Sequence, residues 1–507
     1  MDIKFTSILA SCMLSSISLF AQQKETYFPA SVSFPSDATP TQKARLASCV
    51  VPSQRQLDWQ KMEFTCFICY GVNTFSDREW GTGKEDPSIF NPTQLDAEQW
   101  VRTAKNAGMK MVLLVCKHHD GFCLWPSKTT SFSVASSPWK QGEGDLVKDV
   151  SEACKKYGLK FAVYLSPWDM NCSDYGTEKY NDFFIDQLTE LLTQYGIVDE
   201  VWFDGACGEG PNGKKQIYDF QRYYATIRKL QPKAVIAVMG PDVRWVGTES
   251  GYGRDTEWSV IPASASNLEE IAASSQQKPE DATFVLQADK TGNDLGSREK
   301  LNNAGGAVWY PSEVDVSIRP GWYYHSAEDD RVKTPQKLID IYYSSIGKNS
   351  LLLLNLPPDK RGLVHENDVK SLEQMRSILN ETFETNLAKS RKTKRILTDG
   401  ILETDLIPDK DGTIVIDFGK EVEFDRFLVQ ENITKGQRVE KFKLEAYINN
   451  TWQPIAEGTT IGFKRILRFS PVKAKQLRFT ITETRNTPHI SEIGIYKASI
   501  NEITKSH

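Results

Sequence analysis

The sequence has 507 residues, too many for one ordinary hydrophobic core, so we expect two domains. Hydrophobic residues make up 40% and charged residues 25% of the chain, the balance of a soluble globular protein. The net charge of -5 gives no electrostatic reason to expect a nucleic-acid partner.

The first 21 residues predict an export signal. Lys4 supplies a basic start, residues 5–20 are mostly apolar or small, and Ala21 precedes a polar stretch. Cleavage after Ala21 implies a periplasmic or secreted protein. The residues Leu-Ala-Ser-Cys ending at Cys12 suggest an alternative, a lipoprotein tethered through that cysteine. No other segment is long and apolar enough to predict a membrane span.

A polar lead-in follows over residues 22–55, and strand and helix patterns then alternate over residues 56–385. The strands are apolar without alternation, which is typical of a parallel sheet covered on both faces. About eight strands predict a (β/α)8-like barrel with long loops over residues 245–330. A doubly wound sheet is the competitor, but no Gly-rich phosphate loop follows the first strand. Predicted strands are 64–71, 110–117, 160–167, 200–204, 234–239 and 350–356, and predicted helices are 93–108, 146–157, 180–195, 216–230, 338–345 and 367–382.

The periodicity changes after a basic linker at residues 386–393. Short alternating strands separated by turn residues predict an all-β sandwich over residues 394–500. This domain either supports the barrel or binds carbohydrate, with Trp452 as the candidate aromatic residue for binding. Nine cysteines are present, all before residue 210, and we expect most of them to be free structural thiols because their spacing carries no strong metal signature.

The predicted strand ends carry the chemistry. The run VWFDGA ends at Asp204, and Trp202 shares its face because side chains alternate along a strand. His118 and His119 end another strand. They favour neutral imidazoles that bind hydroxyl groups, since no third ligand has a spacing that suits a metal. Further pairs of aromatic and ionisable residues are Glu79 with Trp80, Arg244 five residues before Glu249, Tyr164, and Trp322. Carboxylates with imidazoles and aromatic platforms are the components of a glycoside hydrolase.

Five motifs extend this hypothesis to a family. The chain contains HHDGF, WFDG, GPDVRWVGTE, SEVDVSIRPGWYYH and NLPPDKRGLVHEND in this order. Over residues 55–385 it closely resembles the exo-acting α-L-fucosidases of glycoside hydrolase family 29. The third motif resembles the subfamily that prefers α-1,3- and α-1,4-linked fucose of the Lewis type. The resemblance implies a retaining hydrolase of fucosylated oligosaccharides or glycoconjugates that needs no metal or other cofactor.

The resemblance also implies roles for single residues. Asp204 matches the nucleophile, and Glu249 matches the acid/base, with Glu257 and Glu313 as fallback acids. His118 and His119 match ligands of sugar hydroxyls. The remaining implied substrate contacts are Glu79, Trp80, Tyr164, Trp202, Arg244 and Trp322.

One position departs from the family pattern. The first-strand motif usually ends in Phe-Ile-His, where the histidine binds a fucose hydroxyl, but this chain has Cys69 at that place. A thiol is a weak hydrogen-bond partner, so a lost contact could cost about 1–3 kcal/mol. Two alternatives therefore stay open: another retaining exo-glycosidase, for instance on galactosides, and a non-hydrolytic glycan-binding protein.

Overall fold

The computed structural model describes residues 25–267, 294–389 and 393–503. The predicted export signal at residues 1–21, with Cys12 and its lipoprotein alternative, lies outside these ranges. So does part of the predicted linker, residues 390–392.

The first domain is a near-closed barrel of eight parallel strands. In chain order they are β1 (Phe64–Ile68), β2 (Met111–Lys117), β3 (Lys160–Leu165), β4 (Glu200–Phe203), β5 (Val235–Val238), β6 (Arg244–Trp245), β7 (Ser312–Ser317) and β8 (Leu351–Asn355). Hydrogen-bonded neighbours run β5-β4-β3-β2-β1-β8-β7-β6. A parallel bridge between Ala237 and Val243 joins the two ends of this sheet. The predicted (β/α)8-like fold is confirmed.

Burial explains which strands the sequence pattern detected. Nearly every residue of the six predicted strands is buried, because helices cover the outer face and side chains fill the interior. Strands β6 and β7 fall in the stretch predicted as loops. β6 has two residues, and β7 carries Glu313 and Asp315, so neither presents an apolar run.

The barrel helices lie within a few residues of their predicted positions. Asp96 and Asp145 cap helix N-termini by accepting from backbone amides, and Gly108 and Gly158 end the same two helices in the left-handed region. The outer helices are Ala97–Ala107, Leu146–Tyr157, Glu178–Gln194, Phe220–Leu230, Pro335–Ser345 and Glu366–Phe383. Shorter helices are Val72–Ser76, Arg298–Asn302 and Ile500–Ile503.

The lead-in before the barrel is folded. Helices Pro40–Ala47 and Gln54–Gln60 lie within it. Its strand Ser31–Ser33 pairs antiparallel with Gly306–Trp309, which also pairs with Val260–Pro262. A short parallel pair joins Phe28–Pro29 to Val50–Val51. The lead-in therefore packs on the insertion between β6 and β7.

The C-terminal domain is an antiparallel sandwich. Its strands are Thr413–Glu431, Val439–Ile448, Thr451–Gly458, Arg465–Thr484 and Ile490–Tyr496. Two pairs of short predicted strands join into the long first and fourth strands, which contain register shifts such as that between Asp417 and Val422. The strand Thr451–Gly458 was not predicted. Within it, Trp452 stacks on Tyr447 at 5.2 Å between ring centroids and lies 4.5 Å from the Arg478 guanidinium.

The sandwich holds the main chain of barrel residues 255–259 through hydrogen bonds. Gln437 accepts from the amide of Ser259 at 2.7 Å and donates to the carbonyl of Glu257 at 3.0 Å. Thr460 accepts from the amide of Glu257 at 3.0 Å. Thr459 and Arg465 each donate to the carbonyl of Asp255 at 2.7 Å. This segment follows the loop that carries Glu249.

The cysteines from Cys49 to Cys207 are free thiols, and all except Cys172 and Cys207 are buried. In the ranges that the structure describes, every helix is too short or too polar to cross a membrane.

Candidate active site

A cavity of about 320 Å³, the size of a small-ligand pocket, opens at the carboxyl ends of the barrel strands. All but three of the residues predicted for the site line it. They are Cys69, Glu79, Trp80, His118, His119, Tyr164, Trp202, Asp204, Glu249 and Trp322. The exceptions are Arg244, Glu257 and Glu313.

Asp204 follows β4 and is held by two donors. Its Oδ2 accepts from the Tyr164 hydroxyl at 2.9 Å, and its Oδ1 accepts from the amide of Ala206 at 2.7 Å. Burial and the charge of Asp204 raise the pKa of Tyr164 well above its ordinary value, so the phenol remains a donor. Both hydrogen bonds stabilise an ionised carboxylate, which is the form that a nucleophile needs.

The two histidines are neutral, because burial lowers the pKa of both, that of His119 to about 3. The Ser166 hydroxyl donates to the carbonyl of Trp168 at 2.7 Å, so the 2.7 Å contact to His119 places the proton on its Nδ1. The His119 Nε2 lone pair then faces the site, 3.9 Å from Asp204 Oδ2. His118 Nδ1 is buried without a hydrogen-bond partner among the described residues. Both rings suit sugar hydroxyls.

The turn that carries the histidines needs its glycine. Gly121 has φ +90°, and a Cβ there would meet Asp169 Oδ1 at 2.5 Å. The same Asp169 receives the buried Lys117 ammonium at 2.9 Å. A buried ion pair and a glycine turn therefore fix the end of β2.

Glu79 joins the loop after β1 to the loop after β7. Its carboxylate accepts from the amide of Trp322 at 2.8 Å and from His325 Nε2 at 2.7 Å. These contacts hold the far wall, where Trp80 remains 47% exposed. Cys69 lies on the cavity floor and is buried. Its backbone amide donates to Asn355, so its thiol takes the place of the ring that the family pattern expects.

Glu249 lies at the cavity mouth, where Trp322 Nε1 donates to its Oε2 at 3.1 Å. Part of its surface remains accessible, but protein fills most directions around it. This burial, with the charges of Asp204 and Glu79, raises the pKa of Glu249, although the Trp322 hydrogen bond opposes the shift. A raised pKa favours the protonated form that an acid catalyst needs.

Arg244 and Glu257 lie outside the cavity, unlike the sequence expectation. The two side chains form a buried ion pair, and Arg254 joins Glu257 at 3.4 Å. The physical reason is strand alternation: Arg244 faces away from the site, and its neighbour Trp245 faces into it. Glu257 is therefore occupied by two arginines rather than placed as an acid.

Glu313 also lies outside the cavity, deeper in the barrel. Its Oε1 accepts from Trp202 Nε1 at 2.7 Å, and the facing Glu200 accepts from Trp59 Nε1 at 2.7 Å. The other oxygens, Glu313 Oε2 and Glu200 Oε1, are buried without another partner among the described residues. A proton shared between the two carboxyls satisfies both oxygens. This pair holds Trp202, which stacks on Tyr164 beside Asp204.

We expect the stability of the fold to depend on pH through this pair. Burial raises the pKa of Glu200 to about 8, whereas an unfolded glutamate titrates near pH ~4.3. Between these values the folded state holds a proton that the unfolded state has released. The free energy of unfolding should therefore fall as pH rises through this window, by up to about 1.4 kcal/mol per pH unit.

Urea unfolding across that window tests the shared proton. Glu200→Gln should give a shallower fall in the free energy of unfolding with pH than the wild type. The matched control is Glu190→Gln, because Glu190 also accepts from an indole, that of Trp125, but outside the cavity. It should keep the wild-type slope. Equal slopes for Glu200→Gln and the wild type would contradict the shared proton.

Three cavity residues were not predicted: Trp168, Trp245 and Asp315. Trp168 follows β3, and its ring packs so closely on Gly208 that a Cβ there would lie 2.0 Å from it. Asp315 lies two residues after Glu313, on the same face of β7. Its position in the motif SEVDVS, with acidic residues at alternating places, is the signal that could have found it.

The chain matches the family model for α-L-fucosidase over residues 58–384. It belongs to the α-L-fucosidases of glycoside hydrolase family 29. A second family model, the F5/8 type C domain, matches residues 383–493. The α-L-fucosidase 1 of Arabidopsis thaliana is 40% identical over 469 residues, which cover 88% of this chain and 87% of the relative.

Two solved structures support the same family. A Bacteroides ovatus structure, named provisionally as an α-L-fucosidase, is 52% identical with a TM-score of 0.85, covering 94% of this chain and 79% of that one. A Ruminococcus gnavus family 29 fucosidase in complex with fucose is 32% identical with a TM-score of 0.77, covering 89% and 96%. The chain is thus an enzyme, a glycoside hydrolase with α-L-fucosidase activity. Within its described ranges, no group of three or more His, Cys, Asp or Glu side chains is suited to a metal ion.

Proposed function

We propose that this α-L-fucosidase is exo-acting and retaining, and that it releases terminal L-fucose from α-1,3- or α-1,4-linked glycans of the Lewis type. The observation that carries the mechanism is a pair of carboxyls in one cavity. Asp204 is held by donors that favour its ionised form, and Glu249 is in surroundings that favour its protonated form. A retaining glycosidase uses such a pair, about 5–5.5 Å apart, on either side of the scissile bond.

In the first step, Asp204 Oδ attacks the anomeric carbon of fucose while Glu249 gives its proton to the leaving oxygen. The glycosidic bond breaks, and a β-fucosyl ester of Asp204 forms. Tyr164 holds the attacking carboxylate in place by donating to it at 2.9 Å. Trp202, stacked on Tyr164 with centroids 5.1 Å apart, forms an apolar wall beside this centre.

In the second step, Glu249, now ionised, takes a proton from water. The hydroxide attacks the anomeric carbon from the side that the leaving group vacated, and the ester bond to Asp204 breaks. Two inversions restore the α configuration. His118 and His119, both neutral acceptors or donors in the cavity wall, orient the ring by its hydroxyls.

The linkage proposal is tested with two substrates. The enzyme is incubated with an aryl α-L-fucoside and, separately, with a Lewis trisaccharide, and free fucose is measured with the anomer first released identified by NMR. Release of α-fucose from the trisaccharide, with little from the aryl fucoside, is the expected result. Release from the aryl fucoside alone would contradict the linkage preference. Binding without release would favour the glycan-binding alternative, and activity on an aryl galactoside the other.

We also propose that the enzyme acts in the periplasm or outside the cell after removal of residues 1–21. The basic and apolar pattern before Ala21 supports this. N-terminal sequencing of the mature protein distinguishes this cleavage from a lipid-modified N-terminus at Cys12.

A further inference from the structure

Asp315 is a carboxyl inside the cavity that the proposed mechanism does not use. It lies on β7, lines the cavity and is only 4% exposed. Its Oδ1 accepts from Trp245 Nε1 at 2.7 Å. Trp245 is in β6, four residues before Glu249, so Asp315 is tied to the start of the segment that carries Glu249.

The arrangement around Asp315 parallels that around Glu249. Each carboxyl lines the cavity and accepts a hydrogen bond from an indole that also lines it, Trp245 for Asp315 and Trp322 for Glu249. The indoles fix one oxygen of each carboxyl and leave the rest of the group directed into the same space. Two carboxyls held in this way titrate as a pair when their charges interact.

The charges that face this pair are all negative. Glu249 meets the fields of Asp204 and Glu79, and Asp315 meets those of Glu249 and of Glu313 below it. Of the described residues that line the cavity, none is lysine or arginine, and the two histidines are neutral. Burial and these like charges raise the pKa of both Asp315 and Glu249.

We propose that Asp315 is a positioning residue for the acid Glu249, with one proton shared between the two carboxyls, so that Glu249 remains a proton donor at pH values where an isolated glutamate is ionised. This inference rests on the proposed hydrolytic function. In each turnover, Glu249 gives the proton to the leaving oxygen and recovers it from the attacking water. Asp315 is not consumed, and its charge resists loss of the proton from the pair.

The pH profile of kcat/KM tests this proposal, measured with phenyl α-L-fucoside, whose leaving group needs protonation. Asp315→Asn keeps an acceptor for Trp245 but removes the titrating partner. The basic limb should move to lower pH by about one unit, the coupling expected for an interacting pair. Trp245→Phe removes the donor that stabilises ionised Asp315, so its basic limb should move to higher pH.

The matched control is Asp294→Asn. Asp294 also accepts from an indole, Trp258 Nε1, at 2.7 Å, but outside the cavity, so its profile should match the wild type. Opposite shifts in the Asp315 and Trp245 variants support the proposal. A lower rate at every pH with an unmoved basic limb in both variants would overturn it, and so would an unmoved limb in Trp245→Phe if Asp315→Asn fails to fold. An inactive wild-type enzyme would instead contradict the proposed function.

Discussion

Replacement of Asp204 by alanine should abolish release of fucose while the protein stays folded. The variant lacks the carboxylate that forms the covalent intermediate, and a loss on the order of 10⁴-fold in kcat, about 5.4 kcal/mol of transition-state stabilisation, is expected. The side chain is partly exposed and bonded to Tyr164 and Ala206, so its loss removes few packing contacts. Initial rates and thermal unfolding of the same preparation measure both parts.

Chemical rescue makes this test specific. Azide fits the space that the missing carboxylate leaves and can attack the anomeric carbon of an activated aryl fucoside, expelling the phenolate. One inversion gives β-fucosyl azide. The control is Asp182→Asn, an exposed carboxylate on a barrel helix paired with Arg222, which should keep full activity. Near-normal hydrolysis by Asp204→Ala would end the assignment of Asp204.

Replacement of Glu249 by alanine should cost 10²- to 10⁴-fold on substrates with poor leaving groups, as roughly expected for loss of an acid catalyst. The loss should be much smaller for a dinitrophenyl fucoside, whose leaving group needs no proton. Because Glu249 with its raised pKa must be protonated, wild-type activity falls as pH rises through that pKa. The variant should lack this basic limb. Rates for the two substrates across pH measure the effect.

The stereochemistry of rescue separates the two carboxyls. In Glu249→Ala the fucosyl ester on Asp204 still forms, and azide then attacks from the vacated side, so the product is α-fucosyl azide. The alternative acids are tested beside it. Glu257→Gln removes the partner of two buried arginines and should lower stability by about 3–5 kcal/mol, but it should keep the basic limb. If the limb disappears there and persists in Glu249→Ala, Glu257 is the acid.

The fold was predictable where burial produces a simple pattern. Strands such as Met111–Lys117 are apolar throughout, and helices such as Leu146–Tyr157 end at a glycine, so both appear in the sequence at nearly their observed bounds. β6 and β7 were not predicted, because their interior side chains serve the site and the buried carboxyl pair rather than the apolar core. A strand that carries Glu313 and Asp315 resembles a polar loop when only its composition is considered.

The site was predictable at strand ends and less so inside the barrel. Asp204 and His118 follow apolar strands directly, so their positions indicate the cavity without coordinates. The choice between Arg244 and Trp245 depends on which face of a two-residue strand points inward, and the sequence does not determine that. The pairing of Glu200 with Glu313 joins residues more than a hundred positions apart, and only the closed barrel brings them together.

The contacts between Gln437, Thr460 and the main chain of residues 255–259 bear on how this enzyme can be divided. A fragment ending near residue 389 would encode every side chain assigned above to the reaction. Yet it would present the polar backbone downstream of Glu249 to water, where no fixed partner restrains it. An exchange of C-terminal modules between related enzymes must therefore transfer these partners too, or the grafted protein will inherit a loosened acid loop.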